Sequence, residues 1–206
     1  MTLRVSMTPT GFANQSGSPG IGDRLGLQVV TDFYDWAIAA GMGYQVRAGT
    51  ITTPLTGDIE ITDAAAEMCA DAPLSTTIIP VYLNVDIEAL GGTLPHVTAK
   101  SVATASTAGA VFTPLPLLSG GGAATSTARV AAAGGVTVTA ELATTTLRHF
   151  AMTIAAVGNY IVDHEFRPAP RRVGIRCFYV QGGSVTTGST YFAHFDYIEG
   201  LTSQLT

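Results

Sequence analysis

From residue 44 onward the sequence is a series of short β-type segments separated by turn residues, and this pattern limits the fold more than any other feature. The segments are rich in Val, Ile, Thr, Tyr and Phe, and the turns contain Gly-Gly, Pro-Ala-Pro and GGSVTTGS. Because no helical segments lie between them, a parallel sheet with helical crossovers is excluded. The pattern predicts an all-β fold, an antiparallel β-sandwich or barrel. The predicted strands cover residues 44–51, 58–62, 76–90, 96–104, 110–113, 128–132, 136–142, 145–155, 160–166, 172–181 and 190–199.

The last two predicted strands carry apolar residues on both faces. A sheet face in contact with water should be polar. We therefore expect the second face to be covered by the N-terminal part of the chain, by the helix, or by another subunit. In the final strand one face consists of Tyr191, Ala193, Phe195 and Tyr197, and the other of Phe192, His194, Asp196 and Ile198.

The segment TTIIPVYLNVDIEAL (76–90) alternates between apolar and polar residues. This alternation predicts one long strand with a shared apolar face. Pro80 lacks the N–H group that a sheet ladder needs, so an edge or a β-bulge is expected at this end. The predicted apolar face consists of Ile79, Val81, Leu83, Val85 and Ile87.

The N-terminus is expected to differ from the rest of the chain. Residues 1–24 are rich in Thr, Gly, Ser and Pro and predict a flexible, extended arm, whereas residues 25–206 predict a single sandwich domain. Arg4 and Arg24 are the only cations of the arm, so a basic, RNA-binding arm is excluded.

The segment TDFYDWAIAAG (31–41) predicts one short helix. Thr31 is a suitable N-cap and Gly41 a suitable C′ residue. An apolar stripe at helical spacing predicts packing on a sheet edge or on a neighbouring subunit. The stripe consists of Phe33, Trp36, Ala37 and Ala40.

The segment 101–135 has few charges and few strong strand residues. It predicts a long loop between strands, with VFTPLPLL (111–118) lying on a neighbouring subunit. Such a loop is uncommon in a compact monomer unless it has a function.

The low charge of the chain indicates extensive contact between identical copies. Charged residues make up 12% of the sequence, about half the usual share of about 25%, and the net charge is −5 with Lys100 as the single lysine. Interface cores are depleted in charge. An acidic chain with one lysine is also unsuited to coating nucleic acid.

One basic cluster stands out, in RPAPRRVGIR (167–176). Its arginines are expected to pair with acidic groups across an interface, and contact with nucleic-acid phosphates is the alternative. They are Arg167, Arg171, Arg172 and Arg176.

Motifs for catalysis, cofactors or metals are absent from the sequence. It contains no G-x-S-x-G, no P-loop, no G-x-G-x-x-G after a strand and no HExxH. In DHE (163–165), strand alternation places His164 opposite the two carboxylates. His96, His149 and His194 occur singly, and a site that joins them is disfavoured. The chain is therefore expected not to be an enzyme and to bind no cofactor.

Two further groups of metal-binding residue types were weighed. Asp58 and Glu60 alternate along a predicted strand and Asp63 follows it, which would suit Ca²⁺, but solvated strand acids are far more common and are the preferred interpretation. Cys69 and Cys177 lie far apart without CxxC spacing and are expected to be two buried thiols; a disulfide between them stays open.

Targeting segments are not expected. The first 20 residues lack the apolar core of a secretion signal. The longest uncharged run, between Lys100 and Arg129, contains Pro114 and Pro116, so a membrane-spanning helix is not expected either.

Several segments together resemble the jelly-roll structural proteins of viruses, in particular small phage capsid proteins known mainly from environmental sequences. The resemblance lies in the polar arm, the short helix, VRAGTITTPLTG, TTIIPVYLNVDIE and the terminal CFYVQGGSVTTGSTYFAHFDYIEG, and covers roughly residues 44–200. It implies two four-stranded sheets, no catalytic residues, and assembly of identical subunits into an icosahedral shell within a virion. The chain lacks the basic arm of the RNA-virus proteins, so contact with the genome is expected to be weak or indirect.

The resulting prediction is a major capsid protein with uncharged subunit interfaces. The alternatives are a phage decoration, penton or tail protein, a carbohydrate-binding sandwich, and an enzyme of the cupin type, which lacks its histidine pattern here. A carbohydrate platform would need Tyr34, Trp36, Tyr82 or Tyr197. The predicted subunit-interface residues are Phe33, Trp36, Phe112, Leu115, Leu117, Phe192 and Ile198.

Overall fold

The described part of the chain consists of sixteen strands and two short helices. The structure is a computed structural model that describes residues 33–57, 64–89, 95–131, 135–138, 144–151, 160–167, 169–183 and 188–205. The predicted arm (1–24) and the predicted strand at 58–62 lie outside these residues. The elements are α1 (Phe33–Ala39), β1 (Gly43–Ala48), β2 (Leu55–Thr56), β3 (Ala65–Ala66), β4 (Met68–Ala72), β5 (Thr76–Ala89), β6 (His96–Val102), β7 (Thr107–Ala108), β8 (Ala110–Phe112), β9 (Leu115–Pro116), β10 (Thr127–Val130), β11 (Val136–Thr137), β12 (Thr144–Ala151), β13 (Tyr160–Glu165), β14 (Arg172–Val173), β15 (Arg176–Gly183), β16 (Thr190–Leu201) and α2 (Thr202–Leu205).

Two large antiparallel sheets form the sandwich. The first has the order β13-β5-β16-β1-β9, with β14 also paired to β5 and β2 to β16, and the second has the order β12-β6-β15-β4-β10-β8. A third, small sheet has the order β3-β11-β7. The all-β sandwich predicted from the sequence is thereby confirmed.

A continuous row of aromatic rings crosses the core between the two large sheets. Neighbouring ring centroids are 4.8 to 5.8 Å apart, and the contacts in the middle of the row are edge-to-face, as aromatic pairs prefer. The row therefore joins one edge of the sandwich to the other. It runs through Phe150, His164, Phe166, Phe178, Phe195, Tyr197 and Tyr44.

The second face of the C-terminal strands is covered in two ways. In β16, Ile198 is buried with Ala37 of α1 and Leu205 of α2 against the first sheet. In β15, Cys177 and Tyr179 are buried beneath the small sheet. The helix was an expected cover, whereas the small sheet was not predicted.

A β-bulge interrupts β5 at Pro80. The pairing with β16 shifts there, because Asp196 is opposite Tyr82 whereas Tyr197 is opposite Pro80. Ile79 consequently packs with α1 on the outer side of the sheet, whereas Leu83 lies in the core. The bulge predicted at Pro80 is confirmed, but the prediction that Ile79 and Leu83 share a face was wrong.

The predicted strand 172–181 is divided between the two large sheets. Arg172 and Val173 pair with β5 in the first sheet, and β15 begins at Arg176 in the second. Gly174 has a φ of 79°, a left-handed conformation that glycine adopts without strain and that permits the change of sheet.

Helix α1 ends in a Schellman motif. The Met42 N–H donates to the Ala37 carbonyl and the Gly41 N–H to the Ile38 carbonyl, at 2.9 Å each, and Gly41 has a φ of 75°. The predicted role of Gly41 as the C′ residue is confirmed, and α1 packs on the outer face of the first sheet through the fully buried Ala37.

Residues 110–118, the edge strap, cross from the second sheet to the first. β8 pairs with β10, β9 pairs with β1, and the Leu117 N–H donates to the Gly43 carbonyl at 2.9 Å. Phe112 packs against the core. The segment that was expected to be a long loop is therefore a strap with two short strands, which joins the two large sheets of its own chain.

A buried carboxylate holds the loop that follows the edge strap. Glu199 accepts hydrogen bonds from the Thr125 N–H at 2.6 Å, from the Ser126 N–H at 3.0 Å and from the Ser126 hydroxyl. The Ser126 hydroxyl also lies 2.7 Å from the hydroxyl of the buried Tyr197. The start of β10 is thus attached to the end of β16.

Candidate functional site

The outer face of the first sheet carries two rows of polar side chains, which we call the polar face. Strand register places Gln45, Asp196, Tyr82 and Glu165 side by side in one row. The next row contains Arg47, His194, Asn84 and Asp163. The face joins four strands and is only half-buried.

Hydrogen bonds fix the orientation of Arg47 on the polar face. Asp196 Oδ1 accepts from Gln45 Nε2 at 2.8 Å, and Gln45 Oε1 in turn accepts from Arg47 Nε. Burial raises the pKa of Asp196 and lowers the pKa of His194. The exposed guanidinium of Arg47 therefore stands next to an imidazole that favours its neutral form.

A pocket of about 350 Å³ opens beside Arg47 and His194. Gly49, Thr50 and Ile51 form one wall, and Phe192 forms part of the lining. Its volume is at the lower end of the range for small-molecule sites.

Exposed apolar side chains occur near the turn from β4 to β5 at one end of the sandwich. Val173 is opposite Thr77 and Leu201 is opposite Thr76, so both flank the start of β5, with their side chains on opposite faces of the first sheet. We call this set the corner patch. Its members and their exposed fractions are Leu74 (74%), Val173 (44%), Ile175 (52%) and Leu201 (55%).

The arginine cluster is divided between paired and unpaired groups. Arg167 forms an ion pair with Glu165 at 3.0 Å and lies over the ring of Tyr34. Arg172 and Arg176 border the corner patch, and no carboxylate in the described part of the chain lies within ion-pair distance of either. Burial and then the neighbouring Arg176 lower the pKa of Arg172, whose Nε has no hydrogen-bond partner among the described residues.

The predicted interface residues do not form one surface. Phe33 and Leu115 are each 40% exposed, while Ile198 is 1% exposed beneath α1 and α2. Ile198 therefore belongs to the core of its own chain and offers no surface to a neighbour. The remaining four, which are half-buried, are Trp36, Phe112, Leu117 and Phe192.

The histidines occupy separate places. Strand β13 exposes Asp163 and Glu165 and turns His164 inward between Phe150 and Phe166, as alternation predicted. His164 Nε2 accepts a hydrogen bond from Arg148 Nε at 2.9 Å, and burial, followed by this cation, lowers the pKa of His164. His96 and His149 lie on strands of the second sheet and His194 on the first, so the strands do not bring the three together.

The structure brings together four residues that the sequence did not connect, which we call the thiol cluster. Cys69 and Cys177 are buried free thiols, as predicted. Asp71 and Ser106 lie beside them, with the Ser106 hydroxyl 2.6 Å from Asp71 Oδ2. The hydrogen bond with Cys69, together with burial, raises the pKa of Cys177 well above its usual value.

Sequence reasoning missed the thiol cluster because its residues come from three separate segments. Cys69 pairs with Tyr179 and Asp71 with Cys177 across neighbouring strands β4 and β15. Only that register makes the two cysteines neighbours. The three acids weighed for Ca²⁺ (58, 60 and 63) lie outside the described residues.

Comparisons of this chain with protein-family models, with curated proteins and with solved structures found no match. In the described part of the chain, neither helix has the length and apolar character needed to cross a lipid bilayer.

Proposed function

We propose that this chain is a structural, self-assembling virion protein, most simply the major capsid protein of an icosahedral shell. The strand order supports this proposal. The eight longest strands of the described part, in chain order, are β1, β4, β5, β6, β12, β13, β15 and β16. They pair as first-eighth-third-sixth in one sheet and second-seventh-fourth-fifth in the other, an order that supports the proposed jelly roll.

A jelly roll would not by itself select a function, because lectins and cupins also use this fold. The observation that carries the proposal is the corner patch. Four large apolar side chains are 44–74% exposed around one turn, next to Arg172 and Arg176 without acidic partners in the described chain. Several large exposed apolar side chains around one turn are more than a protein surface in water usually carries at one place, which favours cover by another protein.

A second copy of this chain suits the corner patch. The chain has a net charge of −5, and the polar face exposes carboxylates such as that of Asp163. An acidic neighbour would neutralise Arg172 and Arg176 while covering the apolar groups, and complementary charge fixes the register of such contacts. Repeated contacts between different surfaces of identical copies produce closed assemblies when the rotation closes.

The test is the native mass by light scattering, with negative-stain microscopy of the same sample. Closed particles of many copies would support the capsid proposal. A trimer or a pentamer would instead favour the function of a decoration, penton or tail protein. A monomer at high concentration would overturn self-assembly.

Two substitutions connect assembly to the corner patch. Val173→Asp and Ile175→Asp place a charge on an exposed side chain, so we expect folded subunits that no longer form particles. Thr104→Asp, an exposed residue outside the corner patch, is the matched control and should assemble normally. If both patch variants assembled normally, the corner patch would not be part of the subunit interface.

The pocket beside Arg47 favours a second candidate function, binding of carbohydrate. Phe192 lines it together with polar groups, and Asp86, opposite Phe192 in the strand register, has a buried Oδ1 without a partner among the described residues. Tyr197, one of the predicted platform residues, is fully buried and takes no part. A monomer that binds oligosaccharides on a glycan array, and loses binding on Arg47→Ala, would favour this function over assembly.

A further inference from the structure

The thiol cluster brings three metal-ligating side chains together in the interior. Cys69 and Asp71 lie on β4, and Cys177 lies on β15 directly opposite Asp71. Their two Sγ atoms and a carboxylate oxygen all lie within 4.8 Å of one another. Each residue is at least nine-tenths buried, with exposed fractions of 0%, 8% and 0%.

We propose that Cys69, Asp71 and Cys177 form a binding site for a thiophilic divalent cation, for which Zn²⁺ is the best fit. Thiolates select Zn²⁺ over Mg²⁺ or Ca²⁺, and carboxylate oxygen is an accepted third ligand. With all three atoms within 4.8 Å, a single point lies within about 2.8 Å of each. Zn–S and Zn–O bonds are about 2.3 Å and about 2.1 Å, so small side-chain rotations complete the site.

Ser106 supports the site from the side of the carboxylate. Its N–H donates to Asp71 Oδ1 at 2.9 Å, which orients the carboxylate as hydrogen bonds around metal ligands do. The Cys69 thiol donates to the Ser106 hydroxyl oxygen at 3.1 Å, and the Ser106 O–H donates to Asp71 Oδ2 at 2.6 Å. The Ser106 hydroxyl oxygen is the fourth donor within reach of a tetrahedral ion.

Binding follows a simple proton balance. One divalent cation replaces the protons of both thiols, two protons are released, and the two thiolates and the carboxylate leave the site with one negative charge. Affinity must therefore rise steeply with pH.

The site has a structural consequence that is independent of the proposed function. Ser106 immediately precedes β7, a strand of the small sheet, whereas Cys69 and Cys177 belong to the second large sheet. A bound ion would fasten the small sheet to the sandwich.

Cobalt titration of the whole chain under a thiol-free reductant tests the site. Because the chain has only two cysteines, a thiolate-to-cobalt charge-transfer band requires Cys69 or Cys177. We expect one Co²⁺ per chain, displacement by Zn²⁺, and a higher melting temperature with Zn²⁺. The titration is also run during refolding, so that burial cannot block entry. Absence of the band in both the native and the refolded protein would overturn the proposal.

Variants separate ligation from general stability. Asp71→Asn should weaken Co²⁺ binding at least about tenfold while the band persists, and Cys177→Ser should alter the band. Glu199→Gln, which removes another buried carboxylate, should leave the affinity unchanged. If a cysteine variant does not fold, the alkylation rate of the wild-type thiols is measured with and without Zn²⁺ at urea concentrations below the unfolding transition. Thiols that react equally with and without Zn²⁺ would contradict ligation.

Discussion

At the scale of single residues, a few buried polar groups fix the loops of this sandwich. Glu199 is 6% exposed and takes three hydrogen bonds from the residues that precede β10. Two of the three donors are backbone N–H groups, and that of the buried Ser126 needs a partner within the protein. Replacing the carboxylate therefore weakens three hydrogen bonds to this loop.

Glu199→Gln should lower the free energy of unfolding by about 1–3 kcal/mol, because the amide keeps the shape but loses the charge and one acceptor oxygen. Urea denaturation measures this change. Glu165→Gln is the matched control, since Glu165 pairs with Arg167 in the open and its loss should cost less than about 1 kcal/mol. Equal effects of the two substitutions would show that the buried carboxylate has no special role.

Local residue signals predicted local structure well and distant contacts poorly. Gly41 was assigned as the C′ residue because only the local chain decides a helix end. The burial of Cys69 and Cys177 was likewise predictable from residue type. Their meeting beside Asp71 depends on strand register, which no local pattern contains.

At the scale of elements, substitutions in the edge strap can show whether this segment stabilises its own chain or serves only as a subunit interface. Phe112 packs against the core, whereas its neighbour Val111 is 69% exposed. Both lie in β8 at the edge of the second sheet. A strap that belonged only to an interface would contribute little to the stability of one chain.

Phe112→Ala should lower the free energy of unfolding by about 2 kcal/mol, less than the about 3–5 kcal/mol of a fully buried phenylalanine. Val111→Ala, the control, should change it by no more than about 0.5 kcal/mol. Both values come from denaturant unfolding of the dissociated chain. If Phe112→Ala left the free energy of unfolding unchanged, the strap would not stabilise its own chain, and a role in subunit contact would be favoured.

Strand β4, which was not predicted, and strand β5, whose faces were partly assigned wrongly, show what the residue pattern alone cannot predict. β4 (MCADA) has no β-branched residue and contains an aspartate, so its composition argued against a strand. It is nevertheless a central strand with every residue buried, because the core covers one face and the small sheet the other. In β5, alternation was predicted correctly from Leu83 onward, whereas Ile79 and Val81 lie on the outer side of the sheet, since the bulge adds one residue.

At the scale of the whole molecule, two histidines make stability depend on pH. The pKa values of His164 and His194 are lowered in the folded chain, mainly by burial. Unfolded histidines take up protons near pH 6.5, so below that pH the unfolded state binds more protons than the folded state. The contribution of these two histidines to the free energy of unfolding is therefore fully present at pH values well above about 6.5, and it is lost as the pH falls.

The free energy of unfolding should decrease between pH 7.5 and pH 5.5, as measured by urea denaturation across that range. His164→Gln removes one titrating group and should make the slope shallower, whatever it does to the absolute stability. Asp196 acts in the opposite sense at lower pH, because burial raises its pKa and favours the protonated form in the folded chain. An identical slope in the variant would exclude His164 as a source of the pH dependence.

The two apolar faces of the C-terminal hairpin correctly predicted that something covers them, but could not predict what. Part of the cover is α1, which the sequence suggested, and part is the small sheet, assembled from three separate segments. Because the small sheet consists of short strands from distant parts of the chain, the periodicity of the sequence does not reveal which residues cover the hairpin.

The position of the only tryptophan has a practical consequence for spectroscopy. Trp36 lies on α1, on the outer side of the first sheet, whereas Tyr44 and Tyr197 stand in the aromatic row of the core. Tryptophan emission therefore reports the docking of α1, and the near-ultraviolet circular dichroism of the core rings reports the packing of the two sheets. A chain that loses the first signal before the second has released its helix while the sandwich is still folded.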